Sequence, residues 1–188
     1  MEHLRLREYH NIIVEKHPHY QSLNKKLIED AKELNFYSPE ENNHYTNIRG
    51  TQYNISRSEE TSSMKVIVNW VTSLILDSMN LINYSAQSRI YMWFARYNEG
   101  DYTISHTHQD MSIFGFVYFV NAPSGAAPLV FTTSGRRIKA ESGKMVIFPA
   151  PMRHHVPKNR CKDRLVLVGN VIFDGDIPST TMTHHSSL

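Results

Sequence analysis

The sequence has little cysteine, little net charge and no long hydrophobic run. Cys161 is the single cysteine, so no disulfide can form within the chain and a reducing compartment is expected. A net charge of +2 gives no clear electrostatic signal for nucleic acid. The longest apolar run, Ile113–Val120, is far shorter than the ~18 residues of a membrane span, and residues 1–10 lack the apolar core of a signal peptide. These absences predict a cytoplasmic protein without a membrane or nucleic-acid partner.

The length and composition are those of one globular domain. Of 188 residues, 40% are hydrophobic and 20% are charged, which is enough apolar material for a sizeable core. No repeat or linker divides the chain, so we expect a single domain over residues 1–178. Residues 1–87 are predicted to be its mostly helical support and residues 88–175 its β core. The polar residues 179–188 are predicted to form a disordered tail.

Two amphipathic stretches in the first half predict helices. Tyr20–Leu34 and Glu60–Met79 each repeat apolar residues at the spacing of one helical face. We expect both faces to cover the outside of a sheet. Ile12–Val14 is predicted to be an edge strand. Ser38–Asn54 is rich in turn-forming residues and is predicted to be a loop, either a mobile lid or a simple connection.

The second half alternates short β-forming segments with turns. The predicted strands are Arg89–Tyr97, Tyr102–His108, Met111–Val120, Leu129–Thr132, Arg136–Ala140, Met145–Phe148 and Leu165–Phe173. Such a series, with turns about every 8–12 residues, is typical of a sandwich or jelly roll. The sequence therefore predicts a mainly β domain with helical cover, an α+β arrangement in which the N-terminal helices pack on the outer face of the sheet.

Two histidines and an aspartate in the β-rich half predict a metal site. His108 and Asp110 spell His-x-Asp, and residues two apart on a strand face the same way, so both can reach one ion. His154 lies further along the chain. Two histidines and one carboxylate bind one face of a six-coordinate Fe(II) and leave three positions open. His108, Asp110 and His154 are the predicted ligands, whereas the neighbouring His155 points the other way and is predicted to be structural.

Arg164 begins an otherwise apolar strand. An arginine is rarely buried without a partner, and a guanidinium can hold a carboxylate through two parallel hydrogen bonds. The partner is either the carboxylate of a ligand or a protein carboxylate such as Asp174 or Glu141. Alternation along the strand puts Arg164 on the same side as Val168 and Asn170.

Alternation also predicts the orientation of the residues after the His-x-Asp motif. If the strand parity of His108 continues, Phe116 and Tyr118 point inside with it. Val117 and Phe119 then point outward. Both faces of this strand are apolar, which favours a sheet that is covered on its outside.

The spacing of these residues resembles a known family. His108-x-Asp110, His154 and, ten residues later (164 − 154), Arg164 are similar to the motifs of iron- and 2-oxoglutarate-dependent oxygenases, especially their prolyl-4-hydroxylase-like members. The resemblance covers about Tyr97–Phe173. Further similar segments are Gly125…Leu129-Val130-Phe131, Gly143…Phe148-Pro149, His154-x-Val156-x-Lys158 and Arg164…Asn170.

The resemblance implies a fold, a cofactor set and an activity. The fold is a double-stranded β-helix, or cupin-like jelly roll. His108, Asp110 and His154 bind Fe(II), and Arg164 pairs with the distal carboxylate of the co-substrate 2-oxoglutarate. The activity is that of a dioxygenase that uses O2 to hydroxylate an unidentified primary substrate, either a protein residue (proline by resemblance) or a small molecule, with release of succinate and CO2.

The resemblance also implies a hydroxyl group that shares the co-substrate carboxylate with Arg164. Family members often carry a small hydroxyl residue two positions after this arginine, where this chain has Val166. Because family tyrosines can supply the hydroxyl instead, Tyr97 and Tyr118 are the two alternatives here. Asn170 completes the predicted 2-oxoglutarate site.

A second histidine pair leaves an alternative open. His106-Thr107-His108 resembles the first motif of cupins, in which His106, His108 and His154 would bind a metal without 2-oxoglutarate. Arg164 has no role in that scheme. We expect the ligand set with the carboxylate, which leaves His106 as a pocket residue. A further alternative is a non-enzymatic jelly-roll binding or structural protein with incidental histidines.

Overall fold

Antiparallel strands make up most of the structure. The computed structural model describes residues 12–38, 47–79, 87–109 and 112–174. Its α-helices are α1 (Tyr20–Lys32) and α2 (Ser62–Ser78), and Arg57–Glu59 forms a short 3-10 helix. The strands are β1 (Ile13–Lys16), β2 (Ile48–Arg49), β3 (Thr51–Ile55), β4 (Gln87–Tyr97), β5 (Tyr102–His106), β6 (Phe114–Asn121), β7 (Leu129–Phe131), β8 (Arg137–Ile138), β9 (Lys144–Pro149), β10 (His154–Val156) and β11 (Arg164–Asp174).

The strands form two sheets. The large sheet has the order β1-β9-β6-β11-β4-β3, and the small sheet has the order β2-β5-β10-β7-β8. All pairings between these strands are antiparallel. The edge strand predicted at Ile12–Val14 is confirmed, because β1 lies at one edge of the large sheet. Over the described residues, this mainly β architecture with two α-helices agrees with the predicted class and is consistent with a jelly roll.

Both helices cover the outer face of the large sheet, as their amphipathic patterns predict. Leu23 and Leu27 of α1 lie in one buried cluster with Met64 and Ile67 of α2 and with side chains of β4, β6, β9 and β11. The start of α2 is fixed by Thr61, whose hydroxyl accepts the Met64 N–H at 3.3 Å. Among the described residues, no helix has both the length and the apolar character needed to cross a membrane.

A buried asparagine joins α1 to the large sheet. The Nδ2 of Asn24 donates to the carbonyl oxygen of Val120 at 2.6 Å, and its Oδ1 accepts from the Tyr118 hydroxyl at 2.6 Å. The Tyr118 ring meets the Trp70 ring edge to face, with centroids 6.2 Å apart. Both polar groups of the Asn24 side chain therefore have a partner, as a buried amide requires.

The predicted orientation of the β6 side chains is wrong. Phe116 and Tyr118 belong to the cluster beneath the helices, whereas Val117 and Phe119 belong to the cluster between the two sheets. The strand parity does not continue, because β5 ends at His106, before His108, and β6 begins only at Phe114. The interior of β6 is thus the face that alternation from His108 would have placed outside.

The segment Ser38–Asn54, predicted as a loop, contains the edge strand β2 and all but the last residue of the edge strand β3. They pair with β5 and β4, respectively. The bend between them is at Gly50, where a Cβ atom would lie 2.7 Å from the Arg96 carbonyl oxygen. Pairing with neighbouring strands thus overrides a turn-rich composition. Residues 39–46, on which the lid alternative depends, and the predicted tail at residues 179–188 lie outside the described residues.

Candidate active site

A cavity of about 310 Å³ lies between the two sheets. Side chains of both sheets line it, among them Ile48, Trp93, Tyr97, Thr103, His106, His108, Leu129, Phe148, His154, Val156, Arg164, Val166, Val168 and Asn170. Of the predicted site residues, His108, His154, Arg164, Tyr97 and Asn170 therefore share one cavity. Residues separated by more than sixty positions in the sequence are brought together by the sheet topology (164 − 97).

His106 and His154 form a cross-strand pair in this cavity. His106 is the last residue of β5, His154 is the first of β10, and the two are direct partners in the antiparallel register. Directly opposite residues of an antiparallel pair project from the same face. Their ring centroids are 4.3 Å apart. Backbone pairing therefore places both rings in the cavity.

His108 joins this pair from the segment after β5. Its Nε2 lies 3.3 Å from the Nε2 of His154, with the two ring planes 7° apart. Its backbone N–H donates to the Ala150 carbonyl oxygen at 2.9 Å. A Cβ atom on Gly115 would lie 3.7 Å from His108 and 2.9 Å from the Phe148 ring. The absence of a side chain at Gly115 thus lets the Phe148 ring approach β6.

The strand argument that paired His108 with Asp110 does not hold. Since β5 ends at His106, His108 lies outside the strand and alternation along it does not apply. Asp110 itself lies outside the described residues. His155 lies outside the cavity, unlike His154, and its Nδ1 is 3.0 Å from the Thr132 hydroxyl oxygen.

Hydrogen bonds and burial keep the clustered histidines in a metal-binding form. Nδ1 of His154 lies 2.9 Å from the Met152 carbonyl oxygen. Nδ1 of His106 lies 2.9 Å from the Ile104 carbonyl oxygen. A carbonyl oxygen only accepts, so each Nδ1 carries the proton and each Nε2 keeps a free lone pair. Burial lowers the pKa of His154 to about 3 and that of His108 to about 4, and it also lowers the pKa of His106.

The three histidines fit a metal ion. One ring nitrogen from each of His106, His108 and His154 lies within 4.8 Å of the other two. Metal–imidazole bonds are about 2.1 Å long, so a single ion can reach all three nitrogens after small side-chain adjustments. Neutral imidazole is also the form that metals bind. The structure places His106 inside this group, which is the ligand set of the cupin-type alternative, whereas the preferred prediction left it as a pocket residue.

Arg164 is a buried cation with unused donors. It is 0% exposed, and its Nε donates to the Ala127 carbonyl oxygen at 3.0 Å. Neither Nη1 nor Nη2 makes a hydrogen bond within the described residues. The guanidinium carbon lies 4.6 Å from the centre of the Tyr97 ring. Burial lowers the pKa of Arg164, because desolvation disfavours the charged form.

The protein carboxylates considered as partners of Arg164 are not available to it. Glu141 pairs with Lys144, with Oε1 and Nζ 3.1 Å apart. Asp174 stands at the opposite end of β11, and ten strand residues span about 33 Å. Two donors of a buried guanidinium therefore remain for a ligand carboxylate.

Tyr97, and not Tyr118, lies beside Arg164. Tyr97 is the register partner of Arg164 across β4 and β11, and its hydroxyl oxygen is 2.7 Å from the Thr103 hydroxyl oxygen. Tyr118 faces the helices and donates to Asn24 instead. Of the two tyrosines that the family resemblance left as alternatives, only Tyr97 lines the cavity, and Tyr118 lies on the helix face of the sheet.

Thr103 lines the cavity but was missed in the sequence. His106 and Thr103 oppose His154 and Val156, so four residues of β5 (103–106) are matched to three of β10 (154–156) with a register shift between them. Such an extra residue re-aims side chains, as in a β-bulge. Strict alternation would put Thr103 and His106 on opposite faces. No sequence signal therefore identifies Thr103.

Two further polar side chains in the cavity have unused capacity. Asn170, which was predicted to belong to the site, is buried, and its Oδ1 makes no hydrogen bond within the described residues. Trp93 was not predicted; its Nε1 is also unbonded there, and its ring stacks near His108 at 6.4 Å between centroids. Buried polar groups normally have partners, so these atoms also point to a ligand.

The chain is similar to known proteins in structure but not in sequence. No family model matches the chain, and no curated protein matches it in sequence. Solved structures do match. A prolyl-4-hydroxylase from Pseudomonas putida has a TM-score of 0.68 at 16% identity, covering 87% of this chain and 92% of that chain.

Two other solved structures have a similar likeness. An oxidoreductase of the 2OG-Fe(II) oxygenase family from Burkholderia pseudomallei has a TM-score of 0.62 at 15% identity, covering 86% of this chain and 84% of that chain. A prolyl hydroxylase from Trichoplax adhaerens, in complex with a hypoxia inducible factor peptide fragment, has a TM-score of 0.62 at 15% identity, covering 85% and 82%. The chain thus has the fold of prolyl-4-hydroxylase-like 2-oxoglutarate oxygenases.

Proposed function

We propose that the chain is an Fe(II)- and 2-oxoglutarate-dependent dioxygenase that hydroxylates its substrate. One observation carries the proposal: Arg164 is fully buried with Nη1 and Nη2 unbonded within the described residues, in the same cavity as the histidine cluster. An uncompensated buried charge costs several kcal/mol, so a carboxylate ligand is expected to compensate it. A metal-binding cluster and a carboxylate-binding cation in one cavity suit a 2-oxo acid that contacts both.

The strand order supports a double-stranded β-helix as the scaffold. In the large sheet β9, β6, β11 and β4 are consecutive neighbours, and in the small sheet β5, β10, β7 and β8 are. Along the chain, β4 to β11 therefore pass from one sheet to the other at every step except from β7 to β8. This back-and-forth path between two antiparallel sheets is the arrangement of a jelly roll.

We assign the iron ligands to His108, Asp110 and His154. The first and last already hold their Nε2 atoms 3.3 Å apart, and Asp110, which lies outside the described residues, would supply the carboxylate. Two histidines and a carboxylate suit Fe(II) and leave three open positions. When bound, iron and 2-oxoglutarate supply the oxygen chemistry, in which O2 is consumed and succinate and CO2 are released.

The residues of this chain hold and orient the co-substrate. Arg164 would bind its distal carboxylate through Nη1 and Nη2, while the bond from Nε to Ala127 fixes the guanidinium plane. The Tyr97 hydroxyl, oriented by Thr103, is the proposed second donor to that carboxylate. Asn170 is proposed to contact the end of the co-substrate nearest the metal, because it lines the same cavity as His108 and its Oδ1 makes no hydrogen bond within the described residues.

The walls of the cavity suit the middle of the co-substrate. Leu129, Val156 and Val166 are buried and line the cavity that Arg164 enters. Apolar walls suit the two methylene groups of 2-oxoglutarate and exclude water from the ion pair. A pair in a dry environment is stronger than the same pair in water.

The primary substrate is proposed to be a protein residue, proline in the first instance, or a small molecule. The Pseudomonas putida neighbour is a prolyl-4-hydroxylase, and the Trichoplax adhaerens neighbour is a prolyl hydroxylase bound to a peptide. The cupin-type alternative gives the buried Arg164 no role, and these neighbours do not favour it.

The proposal is tested by anaerobic titration of the protein with Fe(II) and then with 2-oxoglutarate. A 2-oxo acid bound to Fe(II) gives a metal-to-ligand absorption band in the visible range, and we expect this band for the native chain. Asp110→Ala should abolish it, since only two ligands of the triad would remain. His155→Ala is the matched control, because His155 lies outside the cavity and should leave the band unchanged.

No absorption band in the native protein would contradict the proposed function. A band that persists in Asp110→Ala would contradict the assigned ligand set but not the binding of 2-oxoglutarate. Once the band is established, a panel of prolyl peptides and metabolites, scored for succinate, identifies the class of the primary substrate.

A further inference from the structure

We infer that His106 is a third histidine ligand of the same metal ion and that 2-oxoglutarate replaces it on binding. Metal binding by His106 is argued from the described histidines alone. Its replacement by 2-oxoglutarate rests on the proposed function. In this scheme His106 holds the ion while the co-substrate is absent and leaves a position free when the co-substrate arrives.

The backbone places His106 in the cluster in the same way as it places His154. The two are direct register partners, so both side chains project from one face of the small sheet. Each ring has its Nδ1 at 2.9 Å from the carbonyl oxygen two residues earlier, Ile104 for one and Met152 for the other. Both rings therefore keep the Nε2 lone pair free for a ligand.

A carbonyl partner on the remote ring nitrogen is what metal-binding histidines usually have. This second hydrogen bond fixes the tautomer and the ring orientation. The two rings lie 4.3 Å apart between centroids, and one nitrogen from each of His106, His108 and His154 falls within 4.8 Å of the others. His155, one residue from the cluster, instead meets the Thr132 hydroxyl and lies outside the cavity. His106 thus has the features of a metal ligand that His155 lacks.

The number of positions around the ion explains why His106 would be replaced. The proposed triad and His106 together occupy four positions of a six-coordinate ion. A 2-oxo acid that binds through its carboxylate and its oxo group fills the other two, which leaves none for O2. If the co-substrate displaces His106, one position becomes free. His106 is half-buried at the end of β5, so its side chain can turn away without breaking the sheet.

The experiment measures Mn(II) affinity by calorimetry with and without saturating 2-oxoglutarate. The variants are His106→Ala, His106→Gln as a better-folding replacement, and His155→Ala as the matched control. Without 2-oxoglutarate, loss of His106 should weaken Mn(II) binding by more than ~10-fold, since even losing a residue that only orients a ligand costs that much. With 2-oxoglutarate present, the affinities should agree within about twofold, and the Mn(II)-loaded His106 variants should bind 2-oxoglutarate more tightly by the same factor.

Three results would overturn the inference in distinguishable ways. If His106→Ala and His106→Gln match His155→Ala without 2-oxoglutarate, His106 is not a ligand. If they are equally weakened with and without it, His106 is a permanent ligand and the replacement is wrong. If 2-oxoglutarate binds neither to the native protein nor to any variant, the replacement and the proposed function both fail. The Mn(II) affinities measured without 2-oxoglutarate still decide whether His106 binds the metal.

Discussion

Strands β4, β6 and β11 supply side chains to both faces of the large sheet, and the two faces differ in how their polar groups are satisfied. Beneath the helices, the buried hydroxyl of Tyr118 and the amide of Asn24 bond to each other and to a backbone carbonyl. Facing the cavity, Arg164, Asn170 and Trp93 hold buried polar atoms that make no hydrogen bond within the described residues. Because a buried polar atom without a partner is costly, the bonded pair of Tyr118 and Asn24 stabilises the first face, whereas the three unbonded groups of the second face suit a ligand.

Two tyrosines illustrate the difference. Tyr118 fills the space between sheet and helices and uses its hydroxyl within the protein, on Asn24. Tyr97 stands beneath the guanidinium of Arg164 and shares its hydroxyl with Thr103. Both residues are tyrosines on strands of the large sheet. The neighbours on each face of the sheet decide which tyrosine belongs to the site.

The largest expected effect is that of Arg164→Leu on the cavity face. Losing one partner of a buried charge pair costs about 2–5 kcal/mol, so 2-oxoglutarate should bind at least ~30-fold more weakly to the Mn(II)-loaded variant. Mn(II) binding itself should survive. The free energy of unfolding without ligand should stay the same or increase, because an apolar residue replaces a buried charge. Calorimetric titration and thermal unfolding measure these quantities.

Arg164→Lys is the control for that experiment. It keeps the charge but loses the planar fork, so its affinity for 2-oxoglutarate should fall between those of the native protein and the leucine variant. If Arg164→Leu strongly destabilises the unliganded protein and the native protein gains no thermal stability from 2-oxoglutarate, Arg164 is structural and the contrast between the two faces is lost.

The second largest effect is expected from Trp70→Ala on the helix face. Trp70 is half-buried, packs on Tyr118 and His17, and its truncation should lower the free energy of unfolding by about 2–5 kcal/mol. The melting temperature should therefore fall. The affinity for Mn(II) and 2-oxoglutarate should not change, because Trp70 is on the side of the sheet away from the cavity. An unchanged melting temperature would mean that α2 adds little to the core.

Removing the hydroxyl of Tyr118 and that of Tyr97 should have opposite effects on folding stability and on co-substrate binding. Tyr118→Phe leaves the buried Oδ1 of Asn24 without its donor, which should cost about 1–3 kcal/mol of folding stability and leave 2-oxoglutarate affinity unchanged. Tyr97→Phe should instead weaken 2-oxoglutarate binding. Unfolding experiments and calorimetric titration of both variants measure these effects. If Tyr118→Phe is the variant that weakens 2-oxoglutarate binding, the assignment of Tyr97 to the co-substrate site is wrong.

Much of the fold could be predicted because its signals are local. Periodic apolar residues identified both helices, and turns between β-forming segments identified most strands after Ser88. The edge strands within Ser38–Asn54 could not be found, because short strands with turn-rich composition depend on their partners β4 and β5. Gly50 looked like loop composition and is the bend between two strands.

The site was predictable where the residue type alone identifies the chemistry. An arginine at the head of an apolar strand indicated a ligand pair, and His154 and His108 were found by their spacing. Orientation was the part that failed. The break between β5 and β6 reversed the parity of Tyr118, and the register shift beside β10 brought in Thr103. Both features depend on tertiary packing, which alternation along a single strand does not reveal.

The smallest expected effect tests whether Thr103 orients the Tyr97 hydroxyl, which is proposed to replace the hydroxyl that Val166 lacks. Thr103→Val removes the hydrogen bond to Tyr97, and one neutral hydrogen bond contributes about 1 kcal/mol, so 2-oxoglutarate should bind roughly fivefold more weakly. Val166 lines the same cavity two residues after Arg164. Adding Val166→Thr to the Thr103→Val background should restore part of the affinity, because the new hydroxyl would lie near the same carboxylate. Titration of the single and double variants with 2-oxoglutarate measures the coupling. If Thr103→Val binds 2-oxoglutarate as tightly as the native protein, Tyr97 needs no orienting partner. If Val166→Thr restores no affinity in the Thr103→Val background, a hydroxyl at position 166 does not reach the carboxylate.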